Sequence, residues 1–187
     1  NAANYLKVIL STVNTILEPN RQKGEDPYFI KRIQDRYRIN PKTRVLVDAD
    51  IMIGKISSGN LMDLHDAIKL YQGHYFSDSQ MQEWLMIEEQ YYHRQFLNAS
   101  DNYIEYLMKA EKYEEALEIT YKVLGEDNLW EPAYRAQMTI YSQTNRPGLV
   151  RKIFTQCQDI FQSQLQSQVS QQTIDHYHQM VNQWEES

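Results

Sequence analysis

The sequence predicts a mainly α-helical protein, an array of paired helices preceded by one helix and a small β-hairpin. Three observations carry that expectation. After Val47 apolar residues recur at helical spacing almost without interruption, and residues 80–111 contain neither Pro nor Gly. A self-similarity at a shift of 34 residues runs through the second half. By contrast "YFIKRIQDRYRI", Tyr28 to Ile39, is short, basic and rich in β-formers.

Residues 2–17 place Leu6, Ile9, Leu10, Val13, Ile16 and Leu17 on one helical stripe, which should face a core. The opposite, exposed face carries Asn4, Lys7, Ser11 and Asn14. Pro19 stops this helix, and residues 20–27 form a turn-rich polar loop. Two β-prone runs follow, joined around Gln34-Asp35, where a tight hairpin would prefer Gly or Asn; Pro41 ends them. A short helix over Asp50–Ile56 closes at Ser57-Ser58-Gly59. The next, Leu61–Tyr71, turns Leu61, Leu64, Ile68, Leu70 and Tyr71 inward and stops at Gly73. Residues 74–78 read as a loop, with Ser79 as the N-cap of a helix over 80–111. Further helices are expected over 112–125, 130–144, 147–165 and 170–184, with Pro132 in a first turn, where its missing N–H costs nothing.

The shift of 34 residues superposes Ala99 on Ala133, Tyr106 on Ile140, Ala116 on Val150, Ile119 on Ile153 and Val123 on Cys157. That is the period of tetratricopeptide repeats, in which small residues let paired helices approach closely. The fold class is therefore a tetratricopeptide-like right-handed helical array.

Charge divides unevenly along the 187 residues, whose net charge is −6. Residues 1–44 hold nine Lys/Arg against four Asp/Glu, a net of +5; residues 45–187 hold ten against 21, a net of −11. Such asymmetry points to a polyanion-facing segment joined to an acidic body. The lone Cys157 has no partner for an internal disulfide and suits a reducing compartment. No apolar run approaches a membrane span and no signal peptide is visible, so a cytoplasmic protein with no membrane partner is expected. The chain starts at Asn1 rather than Met, which suggests an excised or cleaved piece.

Catalytic chemistry finds little support. Glu89 and His93 have the i,i+4 spacing that can share a metal, but no second pair of ligands accompanies them, and they read as a solvated face. His176 and His178 diverge on a helix, and Asp48 and Asp50 resemble a structural turn. There is no phosphate-binding glycine loop and no nucleophile motif, so no catalytic residue, metal or cofactor is expected. Tyr103, Tyr106, Tyr113, Tyr121, Tyr134 and Tyr141 read as packing residues that could also line a peptide groove. The ten glutamines between 156 and 183 read as a polar face.

The motifs "RVLVDADIM", "AIKLYQGHYFSD", "EWL", "KYEEALEI" and "LWEPAYRAQMTIYSQTNR" resemble, in this order, the bacterial transcriptional activator domain of SARP-type regulators. The matching positions are Val47-Asp48-Ala49-Asp50, then Tyr71, Gly73, Tyr75, Phe76 and Asp78, then Glu83-Trp84. The N-terminal residues resemble the second half of an OmpR-type winged helix: "AANYLKVILSTVNTILEP" its recognition helix and "YFIKRIQDRYRI" its wing. The wing's usual glycines are absent and Lys7 is the only cation of the helix. The helices and strands expected before the recognition helix are not in these residues, whether truncated, disordered or lost, so by itself this remnant is not expected to bind.

The resemblance implies two domains, a partial winged helix over 1–44 and an activator domain over 45–187, in a bacterial transcription regulator rather than an enzyme. A recognition helix must offer short polar or cationic side chains to base edges, as Asn4, Lys7, Ser11 and Asn14 would. A wing needs cations for phosphate, as Lys31, Arg32, Arg36 and Arg38 would supply. The expected partners are double-stranded DNA, in the complete protein, and a protein partner or a second copy on the helical domain. The alternative is a tetratricopeptide-type peptide-binding adaptor with no direct DNA role.

Overall fold

The structure is a computed structural model that describes residues 2–34, 36–73 and 83–185. The chain divides into two compact units, Asn1–Val47 and Asp48–Ser187.

In the first unit, helix α1 spans Ala2–Leu17 and strands β1 (Ile30–Ile33) and β2 (Arg36–Ile39) form an antiparallel hairpin. Ile33 pairs with Arg36, so the connection has only two residues, and Gln34 takes a left-handed φ of 49° there. Such a conformation strains a residue with a Cβ, which is why glycine or asparagine is usual at this place. One side chain of α1 and one just beyond its end tie the hairpin's approach to the helix. The Glu18 carboxylate accepts the backbone N–H groups of Tyr28 (2.8 Å) and Phe29 (3.0 Å), and Asn14 Nδ2 donates to the Ile30 carbonyl at 3.4 Å.

Two expectations fail in this unit. Asn14 is buried rather than exposed, because it bridges helix and strand instead of facing outward. The apolar stripe of α1 is largely uncovered: Leu10 and Val13 are half-buried, but Leu6, Ile9, Ile16 and Leu17 are exposed. The physical reason is size. A two-stranded hairpin and its loops cannot cover a helix of 16 residues.

The second unit contains α2 (Asp48–Ser58), α3 (Leu61–Leu70), α4 (Glu83–Lys109), α5 (Tyr113–Glu126), α6 (Glu131–Gln143), α7 (Pro147–Leu165) and α8 (Gln171–Glu185). Ser79 and residues 74–82 lie outside the described residues. Gly59 ends α2 with a φ of 67°, and Asn60 then caps α3 by accepting the Met62 N–H. The helix α3 expected to bury Leu61 leaves it exposed as the first residue of the helix; Leu64, Ile68 and Tyr71 are buried as the periodicity requires.

Helices pack as hairpins, α2 with α3, α4 with α5 and α6 with α7, while α6 also neighbours α4 and α8. The 34-residue period is visible in the backbone. Glu111 and Asn145, 34 apart, carry φ values of 56° and 55° at the turns after α4 and α6. The same Schellman-type bond closes both turns, Lys112 N–H to Leu107 O (2.9 Å) and Arg146 N–H to Tyr141 O (2.8 Å). Ala99, Ala116 and Ala133 have almost no exposed surface, so helix backbones approach closely at these points. One core gathers α2 to α5 around Met52, Ile68, Phe96 and Leu107; a second gathers α6 to α8 around Tyr134, Met138, Val150 and Cys157. Leu117 and Leu124 pack against both, which makes the apolar interior continuous.

Polar links across the sequence lock these helices. Lys122 Nζ donates to the carbonyls of Ile68 (2.7 Å) and Tyr71 (2.9 Å), capping the C-terminal end of α3 from α5. His93 is not on a solvated face: its Nδ1 lies 2.8 Å from Tyr71 Oη and its Nε2 lies 3.7 Å from Asp127 Oδ2. Buried Gln137 donates to Thr120 Oγ1 at 2.9 Å, joining α6 to α5.

Candidate functional site

Strand pairing sorts the cations of the hairpin. Lys31 stands directly opposite Arg38 and Ile33 opposite Arg36, so Lys31, Arg36 and Arg38 share one face. Arg32, paired with Tyr37, lies on the other face. No carboxylate of the described residues comes within ion-pair distance of Lys31, Arg36 or Arg38. Like charges directly opposite on paired strands repel, at a cost of about 0.2–1 kcal/mol, a cost that a bound anion would remove. On α1, Asn4, Lys7 and Ser11 are exposed, whereas Asn14 is engaged with Ile30.

The second unit has a polar face where α6 meets α4 on one side and α8 on the other. Trp130 Nε1 donates to both carboxylate oxygens of Asp101, at 3.0 and 3.1 Å, joining the start of α6 to α4. Burial raises the Asp101 carboxyl above its usual range, against the Trp130 bond and the more distant Arg135 charge, which lower it. Arg135 Nη1 donates to Thr173 Oγ1 of α8 at 2.8 Å and lies 3.9 Å from Glu131. Glu131 in turn accepts the Ser170 backbone N–H at 3.1 Å, holding the start of α8.

His176 Nε2 sits 2.9 Å from Thr139 Oγ1 and 3.2 Å from the Arg135 carbonyl. A carbonyl can only accept, which assigns a proton to Nε2. Burial depresses the His176 pKa below the ordinary value, so the ring is neutral at pH 7. These residues border a cavity of about 330 Å³ whose apolar wall is Ile104, Met108, Pro132 and Ala136. None of this was legible from periodicity, because the partners lie 29 to 41 positions apart.

The tyrosines divide by environment. Tyr103, Tyr134 and Tyr141 are buried, while Tyr106 and Tyr121 are exposed, the Tyr121 hydroxyl 2.9 Å from that of Tyr141. Cys157 is buried and its thiol is pushed up to about 12, chiefly by burial, so it is a core residue without thiolate character. Among the described residues no group of three His, Cys, Asp or Glu could hold a metal ion, and no helix is long and apolar enough to cross a membrane.

Paired helices at a 34-residue period, joined to a cationic helix-and-hairpin unit, define the class as a helical-repeat domain. The family model of the bacterial transcriptional activator domain matches residues 57–181, and the chain belongs to that family. No curated protein sequence matches it. Among solved structures it is similar to Mycobacterium tuberculosis EmbR, determined in complex with a low-affinity phosphopeptide, with a TM-score of 0.62 and 13% identity. That similarity covers 97% of this chain and 50% of EmbR, so the chain spans half the length of that structure; at this identity the likeness is one of fold.

Proposed function

We propose that the chain serves a bacterial transcription regulator, with residues 1–44 contacting double-stranded DNA as part of a winged helix and residues 45–187 contacting a protein partner or a second copy. The observation that carries the DNA half is the shared face of Lys31, Arg36 and Arg38, three cations without an ion-pair partner among the described residues. Asn4, Lys7 and Ser11 are exposed on α1 in keeping with base or phosphate contact, and Arg32 adds to the field from the other face of the hairpin. Asn14 leaves the contact set, because its amide is used inside the unit.

The test is fluorescence anisotropy of duplex DNA with the whole natural polypeptide across a salt series. Each phosphate contact contributes about −0.9 to the slope of log affinity against log salt. Changing Lys31, Arg32, Arg36 and Arg38 together to Gln should make that slope shallower by roughly 3–4. Binding without salt dependence, or an unchanged slope in the fourfold variant, refutes the DNA reading and favours a peptide-binding adaptor.

A further inference from the structure

We propose that the cavity between α4, α6 and α8 receives a lysine side chain from a protein partner, its ammonium on the Asp101 carboxylate and its stem against Ile104, Met108 and Ala136. This deepens, and rests on, the reading that the helical array contacts proteins.

The argument begins with an imbalance of charge. Asp101 is half-buried, yet among the described residues its one hydrogen-bond donor is the neutral Trp130 indole, and no Lys, Arg or His lies within ion-pair distance of it. Buried carboxylates are ordinarily paired with a cation. The other charges at the cavity are engaged: Arg135, which lines it and attracts Asp101 from beyond ion-pair distance, donates to Thr173 and lies 3.9 Å from Glu131, and Glu105 is held by Lys109 at 2.6 Å. Asp101 thus lacks an ion-pair partner among the described residues, and burial, only partly offset by Trp130 and Arg135, holds its carboxyl above the ordinary range. The helical body's net −11 favours a basic partner at long range as well.

Geometry selects lysine. The Trp130 N–H is nearly equidistant from the two oxygens of Asp101 and so fills the notch that a guanidinium fork would occupy. The remaining lone pairs point away from one another, which suits a compact ammonium better than a planar fork. The wall of Ile104, Met108, Pro132 and Ala136 is apolar and matches the methylene stem of a lysine.

The experiment follows the Trp130 indole N–H by two-dimensional NMR of the whole chain, the resonance being assigned through Trp130→Phe. The probe is an acetylated, amidated pentapeptide with one central lysine, compared with its norleucine and arginine counterparts. A saturable shift with the lysine peptide is expected, with the norleucine peptide weaker by about tenfold or more and the arginine peptide weaker than lysine. Asp101→Asn keeps an acceptor for Trp130 and should weaken the lysine peptide by about tenfold. Ala136→Leu fills the cavity with all charges intact and should abolish binding, which guards against a folding defect in the first variant. Glu114→Gln together with Glu115→Gln, elsewhere on the array, should leave binding unchanged.

An unmoved Trp130 resonance, equal binding of lysine and norleucine, or equal loss in the Glu114/Glu115 control overturns the proposal. Self-association or partner capture that persists in both Asp101→Asn and Ala136→Leu, with no lysine binding, also overturns it, and leaves the protein-contact role of the array standing.

Discussion

Replacing Trp130 by Phe isolates the bond that ties α6 to α4. Trp130 Nε1 meets both Asp101 oxygens at 3.0 and 3.1 Å, and no other described residue hydrogen-bonds that carboxylate. A hydrogen bond to a charged group is worth about 1.5–3 kcal/mol, and here its loss also strands a half-buried anion. The smaller ring adds a packing loss of about 1 kcal/mol, so the total should be about 2–4 kcal/mol. In an Asp101→Asn background the bond is between neutral groups, and the same substitution should cost about 1 kcal/mol less. Acidity gives a second check. The Asp101 pKa is higher folded than unfolded, so the native state takes up the proton first, and this group's contribution to stability rises as pH falls through the folded pKa. Without the Trp130 donor, which lowers that pKa, protonation comes earlier still and the cost of Trp130→Phe shrinks in acid. Urea unfolding followed by far-ultraviolet circular dichroism, at neutral and mildly acidic pH, measures both effects. A cost below about 0.5 kcal/mol, or one unchanged in the Asp101→Asn background, refutes the reasoning.

Other perturbations test the array elsewhere. Ala116→Leu should destabilise the helical unit by about 1–3 kcal/mol or more, because Ala116 is wholly buried where α4 and α5 meet; a melt within error of the parent would deny the close approach. Lys122→Met removes both donors from the Ile68 and Tyr71 carbonyls and should speed amide hydrogen exchange across α3 before it affects α7. For His176 the folded pKa lies below the unfolded value of 6.5, so the unfolded state binds the proton more readily. Stability is then lost as pH falls from about 6.5 toward the folded pKa, and a His176→Gln variant should lose that part of the pH dependence in urea titrations.

How far the sequence discloses the molecule depends on the range of each interaction. The repeat is legible because it rests on local residues: alanines at Ala99, Ala116 and Ala133, and turns that recur after 34 positions with a left-handed Glu111 and Asn145. Helix ends agree with the expectations within a few residues, since Pro, Gly and caps act at short range. Periodicity identified the apolar stripe of α1 without revealing whether anything lies over it, and Ile16 and Leu6 remain exposed. Asn14 shows the complementary failure: a helical wheel puts it on the outer side, yet its amide meets Ile30 16 positions away. The Asp101–Trp130, Arg135–Thr173 and Lys122–Ile68 links span 29, 38 and 54 positions. Pairings of that kind depend on which helix faces meet, which no local pattern encodes.

The opposite charges of the two units give the DNA reading a physical consequence. A polyanion drawn to the +5 of residues 1–44 is repelled by the −11 of residues 45–187. On this reading the acidic array discourages DNA from lying along it and leaves its faces to proteins. The repulsion is carried mostly by exposed carboxylates and is therefore screened beyond about 8–10 Å at physiological salt. Contacts of Lys31 and Arg38 with phosphate would act well within that distance and so survive the screening better. Raising salt should consequently weaken the array's repulsion of DNA before it erases the hairpin's attraction. Neutralising Glu114 and Glu115 should matter only at low ionic strength, whereas neutralising Lys31 and Arg38 should matter throughout the range in which binding is measurable.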